Sequence, residues 1–597
     1  MQQLEQERDR LDSPTPQSLT KRARWSITDL TVSIAPSSSS SSRPTSSWTP
    51  PSTSRPRWRT NEFYLYYVVF LVVVPQMYLS AVRASSEKHP LYWTYQHKLD
   101  QGWLFGWKVD NSDHQYYLFR SHLPLLGLLF VAYLSLSHVM RRLPHQTSRR
   151  ARAGFILVFS LAMLSAFHGT SLLKMLLILY VNWRIARLAL NEPGQSAIRK
   201  EWVPWLTWGF NAAILFLNET YGGYSFGAIA KPLAFLDDHK GLLPRWQIMW
   251  NISMLRIISF DMELYWSTCA NQTTTAKHLP PPSSSDPITG GDNYSFPLFL
   301  SYVLYPPLYL AGPIISYPSF LDQLAPASAT PPSQSQPPVR AAETSPSSIL
   351  RYLFRFLSSL LTMEIILHSM YVVAIKDSGI DWWTNLGPLQ VSMIGFWNLI
   401  IVWLKLLIPW RFFRLISLMD GIDPPENMIR CMANNYSTLG FWRSWHRSYN
   451  LWIIRYLYVP IGGSKRPIIA TLVVFTFVAL WHDLSMKLLA WGWIVSLFVL
   501  PEMISTSLIP YKKFGDEWWY RHLAAAGGVF NVLLMMTANL VGFVVGIDGA
   551  KGLWLKMLGT TEGRVFMVVA SACLFVAIQV MFEYREEERR KGINRRC

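Results

Sequence analysis

The feature that most restricts this chain is a succession of apolar runs about twenty residues long, such as FYLYYVVFLVVVPQMYLSAV from Phe63 to Val82. Each is long enough, as a helix, to cross the hydrocarbon layer of a bilayer. A backbone in lipid must satisfy its own hydrogen bonds, so runs of this kind must be helical. The expected fold class is therefore all-α: a polytopic transmembrane helical bundle. Half of the residues are hydrophobic, which excludes a single water-soluble domain. The net charge of +18 is scattered over short loops and the two ends with no single basic face, so it reads as a set of topology determinants and not as a nucleic-acid surface.

Spans are expected at residues 63–82, 123–140, 202–217, 350–375, 391–410, 523–547 and 565–582, with 468–481 continuing to 500. Residues 154–190 form two segments hinged at His168-Gly169, where His168 reads as structural or interfacial. With the irregular stretches below, about eleven membrane segments result, some of them re-entrant. Residues 1–60 are polar and Ser/Pro-rich and read as a disordered tail. Arg55, Arg57 and Arg59 place that tail in the cytosol, and Arg141, Arg142, Arg149, Arg150 and Arg152 after the second span agree. The membrane domain covers 61–585, low-complexity loops occupy 271–292 and 322–349, and the charged sequence from Glu583 reads as solvated, with 586–597 a tail.

Residues 83–122 carry Trp93, Trp103 and Trp107 and read as an ordered lumenal cap near the membrane surface. Residues 246–266 contain Arg256, Asp261 and Glu263, which fits a re-entrant or partly buried helix whose carboxylates pair with arginine. Pro306, Pro307, Gly312 and Pro313 interrupt an apolar segment, and such a broken helix must be lined by protein or water. Cys269, Cys431, Cys573 and Cys597 lack the spacing of a zinc site or a disulfide framework and read as unpaired thiols. No metal ligand set is visible. Gly462 to Lys465 lacks the first glycine of a phosphate loop and is a turn.

Two histidines, His446 and His482, stand in apolar, aromatic-rich surroundings. His482 lies about fifteen residues past the turn at Pro467, or about 22 Å of helix in a layer of about 30 Å, and so falls at membrane depth. Ionisable groups there mark a functional site, with bundle packing as the alternative. A neutral imidazole suits removal of a proton from a hydroxyl. Asp483 and Ser485 follow His482, but adjacent helical residues point in different directions and do not make a triad. Around His446, Trp442, Arg443, Trp445 and Arg447 fit either an interfacial belt or the entrance for an anionic thioester donor.

The combination of LYPPLYLAGPI (304–314), FWRSWHRSYN (441–450), YVPIGGSK (458–465) and LWHD (480–483) resembles the membrane-bound O-acyltransferase superfamily. The resemblance is to the fungal glycerol-uptake-protein branch, related to hedgehog acyltransferase, and runs from about residue 60 to 585. It implies a tunnel between the helices, with acyl-CoA as co-substrate, no bound cofactor and a hydroxyl-bearing acceptor arriving from the other side. His482 matches the family's membrane-embedded histidine, the general base. His446 matches a second position, implied to polarise or position a substrate. The same resemblance implies an endoplasmic reticulum enzyme that remodels glycosylphosphatidylinositol (GPI) anchors by returning a long acyl chain to the lyso form. Competing expectations are a protein acyltransferase of the hedgehog-acyltransferase kind, a glycerol or polyol transporter, and a non-catalytic membrane regulator.

Overall fold

The computed structural model describes residues 55–143, 148–190, 200–269, 291–324, 344–379, 381–482 and 484–591. The expected amino-terminal tail and both low-complexity loops fall mostly outside them, as do Asp483 and Cys597. The remaining cysteines are free thiols.

Helix α1 (Asn61–Ala84) starts at Thr60, whose hydroxyl accepts the Phe63 amide. It is followed by the cap and by α2 (His114–Arg142), begun by Asp113 in the same way. Helices α3 (Arg149–His168) and α4 (Ser171–Arg187) meet at Gly169, whose φ of 55° is open to glycine and breaks the run at the expected hinge. Then come α5 (Val203–Thr220), α6 (Trp246–Cys269), α7 (Phe296–Val303), α8 (Tyr317–Leu324), α9 (Pro346–Ser369) and α10 (Pro388–Met419). The site region holds the short helices α11 (Thr438–Ser444) and α12 (Arg447–Ile453), and then α13 (Pro467–His482) and α14 (Met486–Leu508). Helices α15 (Tyr520–Phe543), α16 (Gly546–Gly559) and α17 (Thr561–Arg590) close the chain.

Seven of the described helices, namely α1, α2, α3, α10, α14, α15 and α17, are long and apolar enough to cross a membrane. Others expected as spans are shorter or carry more charge, which accounts for the gap to eleven. Residues such as Leu65, Leu71, Leu128, Val131, Val565 and Val568 are exposed on α1, α2 and α17, as lipid-facing surfaces require. Of the seven, α10 is the most enclosed.

The cap contains a two-stranded antiparallel hairpin, β1 (Leu99–Gln101) with β2 (Lys108–Asp110), Leu99 opposite Asp110. Asp110 accepts the amides of Val373 and Ala374, at 3.0 and 2.9 Å, and so ties the cap to the chain after α9. Gly102 is required: a Cβ there would lie 2.3 Å from the Trp107 carbonyl and 2.5 Å from the His368 ring.

Helix α6 departs from its expectation. It is one continuous helix, buried on all sides from Ser253 to Leu264. Its Glu263 pairs with Arg455 at 2.5 Å and accepts the Tyr456 hydroxyl, whereas Asp261 meets no arginine and accepts only the Thr207 hydroxyl, at 3.0 Å. Its buried Arg256 donates to the carbonyls of Val303 and Leu308. Val303 ends α7 and Leu308 lies in the proline-interrupted stretch, so protein lines the break, and Arg256 gives the Val303 carbonyl the donor that Pro307, four residues on, lacks.

Three further expectations are corrected. The run 468–500 is not continuous: α13 ends at His482 and α14 returns beside it, with Trp493 Nε1 donating to Thr476 Oγ1 at 3.2 Å. Ser485 starts the return by accepting the Leu488 amide. The sequence from Glu583 is not solvated, since α17 runs on to Arg590 with Glu583 and Glu588 buried. Glu588 holds Arg430 through two hydrogen bonds, 3.0 and 2.6 Å long. Finally, Arg141 and Arg152 are more than topology charges. Both reach Asp420 at the end of α10, which also accepts the hydroxyls of Tyr133, Ser137 and Tyr305.

Candidate functional site

His446 and His482 reach the site by different local routes. His446 is the residue just before α12, with a left-handed backbone at φ 46°, a conformation that costs a non-glycine residue about 1–3 kcal/mol and persists where neighbours impose it. Asn427 imposes it: its main-chain carbonyl accepts the Arg447 amide at 3.0 Å, and its side-chain carbonyl accepts the Ser448 amide at 3.1 Å. The Ser448 hydroxyl in turn accepts the Ile314 amide at 2.9 Å, joining α12 to the broken segment. The ring of His446 lies flat on Trp410 of α10, centroids 4.7 Å apart and planes 11° from parallel.

His482 is the last residue of α13, at the tip of the hairpin that α13 makes with α14. The residue is exposed. Aromatic rings connect the two histidines. Tyr449 lies 5.4 Å from His446 and 4.6 Å from Trp481, and Trp481 packs edge-on to His482 at 4.7 Å.

Neither imidazole hydrogen-bonds to any described residue. The two buried histidines each have at least one partner. His168 is held by the Leu243 carbonyl at 2.8 Å and the Tyr309 hydroxyl at 2.9 Å, and is structural. His368 bonds the Glu364 carbonyl through Nδ1 at 2.7 Å, and its Nε2 has no partner among the described residues. Free ring nitrogens are what proton transfer to an incoming group needs.

Of the four residues expected at a donor entrance, the structure brings two together. Trp442 and Trp445 line an apolar cavity with Leu399, Val402, Phe441 and Phe543. Arg443 and Arg447 do not line it, and Arg443 is exposed. The cavity shares Val402 and Phe543 with a polar cleft of about 210 Å³ lined by Asp113, His114, Lys376, Asn398 and Lys405. At its other end Trp445 stands 6.2 Å from Trp410, the ring on which His446 rests. The apolar cavity measures only about 20 Å³, room for little more than one water, and neither histidine lines it. Gly462 and Gly463, both at positive φ, form the expected turn. Among the described residues no group of acidic, His or Cys side chains could hold a metal.

Sequence reasoning missed Asn427, Trp410 and Asn251. Asn251 on α6 donates its side-chain amide to the Trp481 carbonyl at 3.0 Å, and its own carbonyl accepts Trp481 Nε1 at 2.8 Å. All three act across long sequence separations, and a polar residue inside an apolar helix was the only local signal for Asn251.

Residues 242–547 match the family MBOAT, membrane-bound O-acyltransferase. The chain is 44% identical to the membrane-bound O-acyltransferase GUP1 of Candida tropicalis, over 91% of this chain and 90% of that protein. It is 41% identical to its namesake in Saccharomyces cerevisiae, over 90% and 94%. A mouse protein-cysteine N-palmitoyltransferase, HHAT, is 29% identical over 36% of this chain and 41% of its own.

Proposed function

Because the chain belongs to the membrane-bound O-acyltransferase family, we propose that it moves a long acyl chain from acyl-CoA to a hydroxyl of a lipid acceptor. We take the acceptor to be a lyso-GPI anchor in the endoplasmic reticulum membrane. The observation that carries this reading is the pair of imidazoles, His446 and His482, joined by the packed rings of Tyr449 and Trp481, with no described residue hydrogen-bonded to either ring.

His482 takes the acceptor hydroxyl's proton as its oxygen attacks the thioester carbonyl carbon. The carbonyl–sulfur bond then breaks, and the CoA thiolate leaves and collects the proton. His446, fixed on Trp410, polarises or positions one substrate. No acyl-enzyme and no metal enters the scheme. A polyol transporter is disfavoured, because Arg256 takes two of the carbonyls that a broken helix would offer to a polyol.

Labelled long-chain acyl-CoA and a lyso-GPI acceptor, given to purified protein in detergent, test the reading beside His482→Ala and His446→Ala. We expect transfer by the wild type and its loss, a thousandfold or more, in His482→Ala. His482-dependent consumption of acyl-CoA without transfer to this acceptor moves the acceptor to another lipid or to a protein terminus. No reaction with acyl-CoA at all would leave the transporter or regulator reading.

A further inference from the structure

The last carbonyls of a helix have no partner within it, and His482 stands at such an end. Helix α13 is only sixteen residues long, is followed directly by a change of direction, and has the reacting imidazole on its final residue. Left to itself this end would fray, and a base whose position varies by an ångström loses much of its effectiveness.

The clasp between Asn251 and Trp481 addresses that problem. The Asn251 amide donates to the carbonyl of the peptide linking Trp481 to His482, while Trp481 returns its indole N–H to the Asn251 carbonyl. One residue of the buried helix α6 therefore fixes both the backbone and the side chain immediately before His482. The Trp481 ring, held in this way, packs against His482 on one side and Tyr449 on the other. Asn251 also opens an Asn-Ile-Ser sequon, but this bonded, helical placement is the opposite of an exposed glycosylation loop.

We propose that Asn251 is a positioning residue for His482, capping the end of α13 so that the imidazole is held where the acceptor hydroxyl arrives. This rests on the acyl-transfer reading above, and a second readout keeps the two separable. In Asn251→Ala the amide donor is lost, and in Trp481→Phe the indole donor is lost while a ring remains. Steady-state transfer is measured for each, together with the rate at which diethyl pyrocarbonate modifies His482 in substrate-free protein, followed by mass spectrometry of its peptide.

The expected result is a kcat at least tenfold lower in both variants, with KM for acyl-CoA within twofold of wild type. The His482 modification rate should shift severalfold while that of His122, exposed and remote, stays constant. Asn251→Gln, which keeps the amide, should recover part of kcat. Should Asn251→Ala fail to fold, Trp481→Phe reads the same clasp. Unchanged kcat and unchanged His482 reactivity in folded variants would overturn the proposal. A wild type without transferase activity would overturn the acyl-transfer reading, and the modification rate would still decide whether Asn251 positions the ring.

Discussion

Both ring nitrogens of His168 are engaged, one by a carbonyl from the α5–α6 connection and one by the Tyr309 hydroxyl, so this histidine contributes to the fold in a way that His446 and His482 do not. His168→Ala would leave a buried hydroxyl and a carbonyl without their partner, at a cost of about 1–3 kcal/mol. Thermal unfolding in detergent should show the lower stability, while the folded fraction keeps its transfer rate. The two candidate site histidines were legible in the sequence because imidazole is rare in such apolar surroundings. What could not be read there was the difference between a bonded and a free ring, since the bonded partners lie far along the chain. Of the residues expected at a donor entrance, Trp442 and Trp445 line a small cavity and Arg443 is exposed; which of them face a common space depends on helices far along the chain.

Hinges and caps were legible to the degree that a residue type announces them. Glycine at 169 and the prolines at 306 and 307 mark breaks that the backbone chemistry demands. The reversal after His482 is marked only by polar residues, with Ser485 capping α14, and by no glycine or proline. The reversal is set by packing of α13 on α14, where a Cβ at Gly492 would come 2.9 Å from the Phe475 carbonyl. Gly492→Val should push the two helices apart and cost transferase activity without touching either histidine, as steady-state assay and melting temperature together would show. In the connection between α5 and α6, the carboxylate of Asp237 accepts the amides of Gly227 and Phe226, and these bonds hold its pKa below the usual 3.8. A carboxyl lowered in this way contributes fully above pH of about 3.8 and loses its contribution as pH falls through the depressed value. Hydrogen exchange at Phe226 and Gly227 should therefore accelerate on acidification below that range, and Asp237→Asn should exchange fast at every pH.

At the scale of the whole molecule, the charged end of α17 is part of the packed structure. Glu588 anchors Arg430, and Glu583 meets Arg521 and Arg590 while accepting the Arg57 amide from the start of α1. Charge composition alone suggested a solvated tail, because a run of Glu and Arg gives no sign of arginines waiting on other helices. Glu588→Ala should cost about 3 kcal/mol, as expected for breaking a buried pair, and lower the melting temperature of the purified protein. The contact of Arg256 with the Val303 and Leu308 carbonyls ties α6 to both sides of the Pro306-Pro307 break. A bend at those prolines would pull one carbonyl or the other off a charged donor, so the break is a fixed joint of the bundle and not a flexing one.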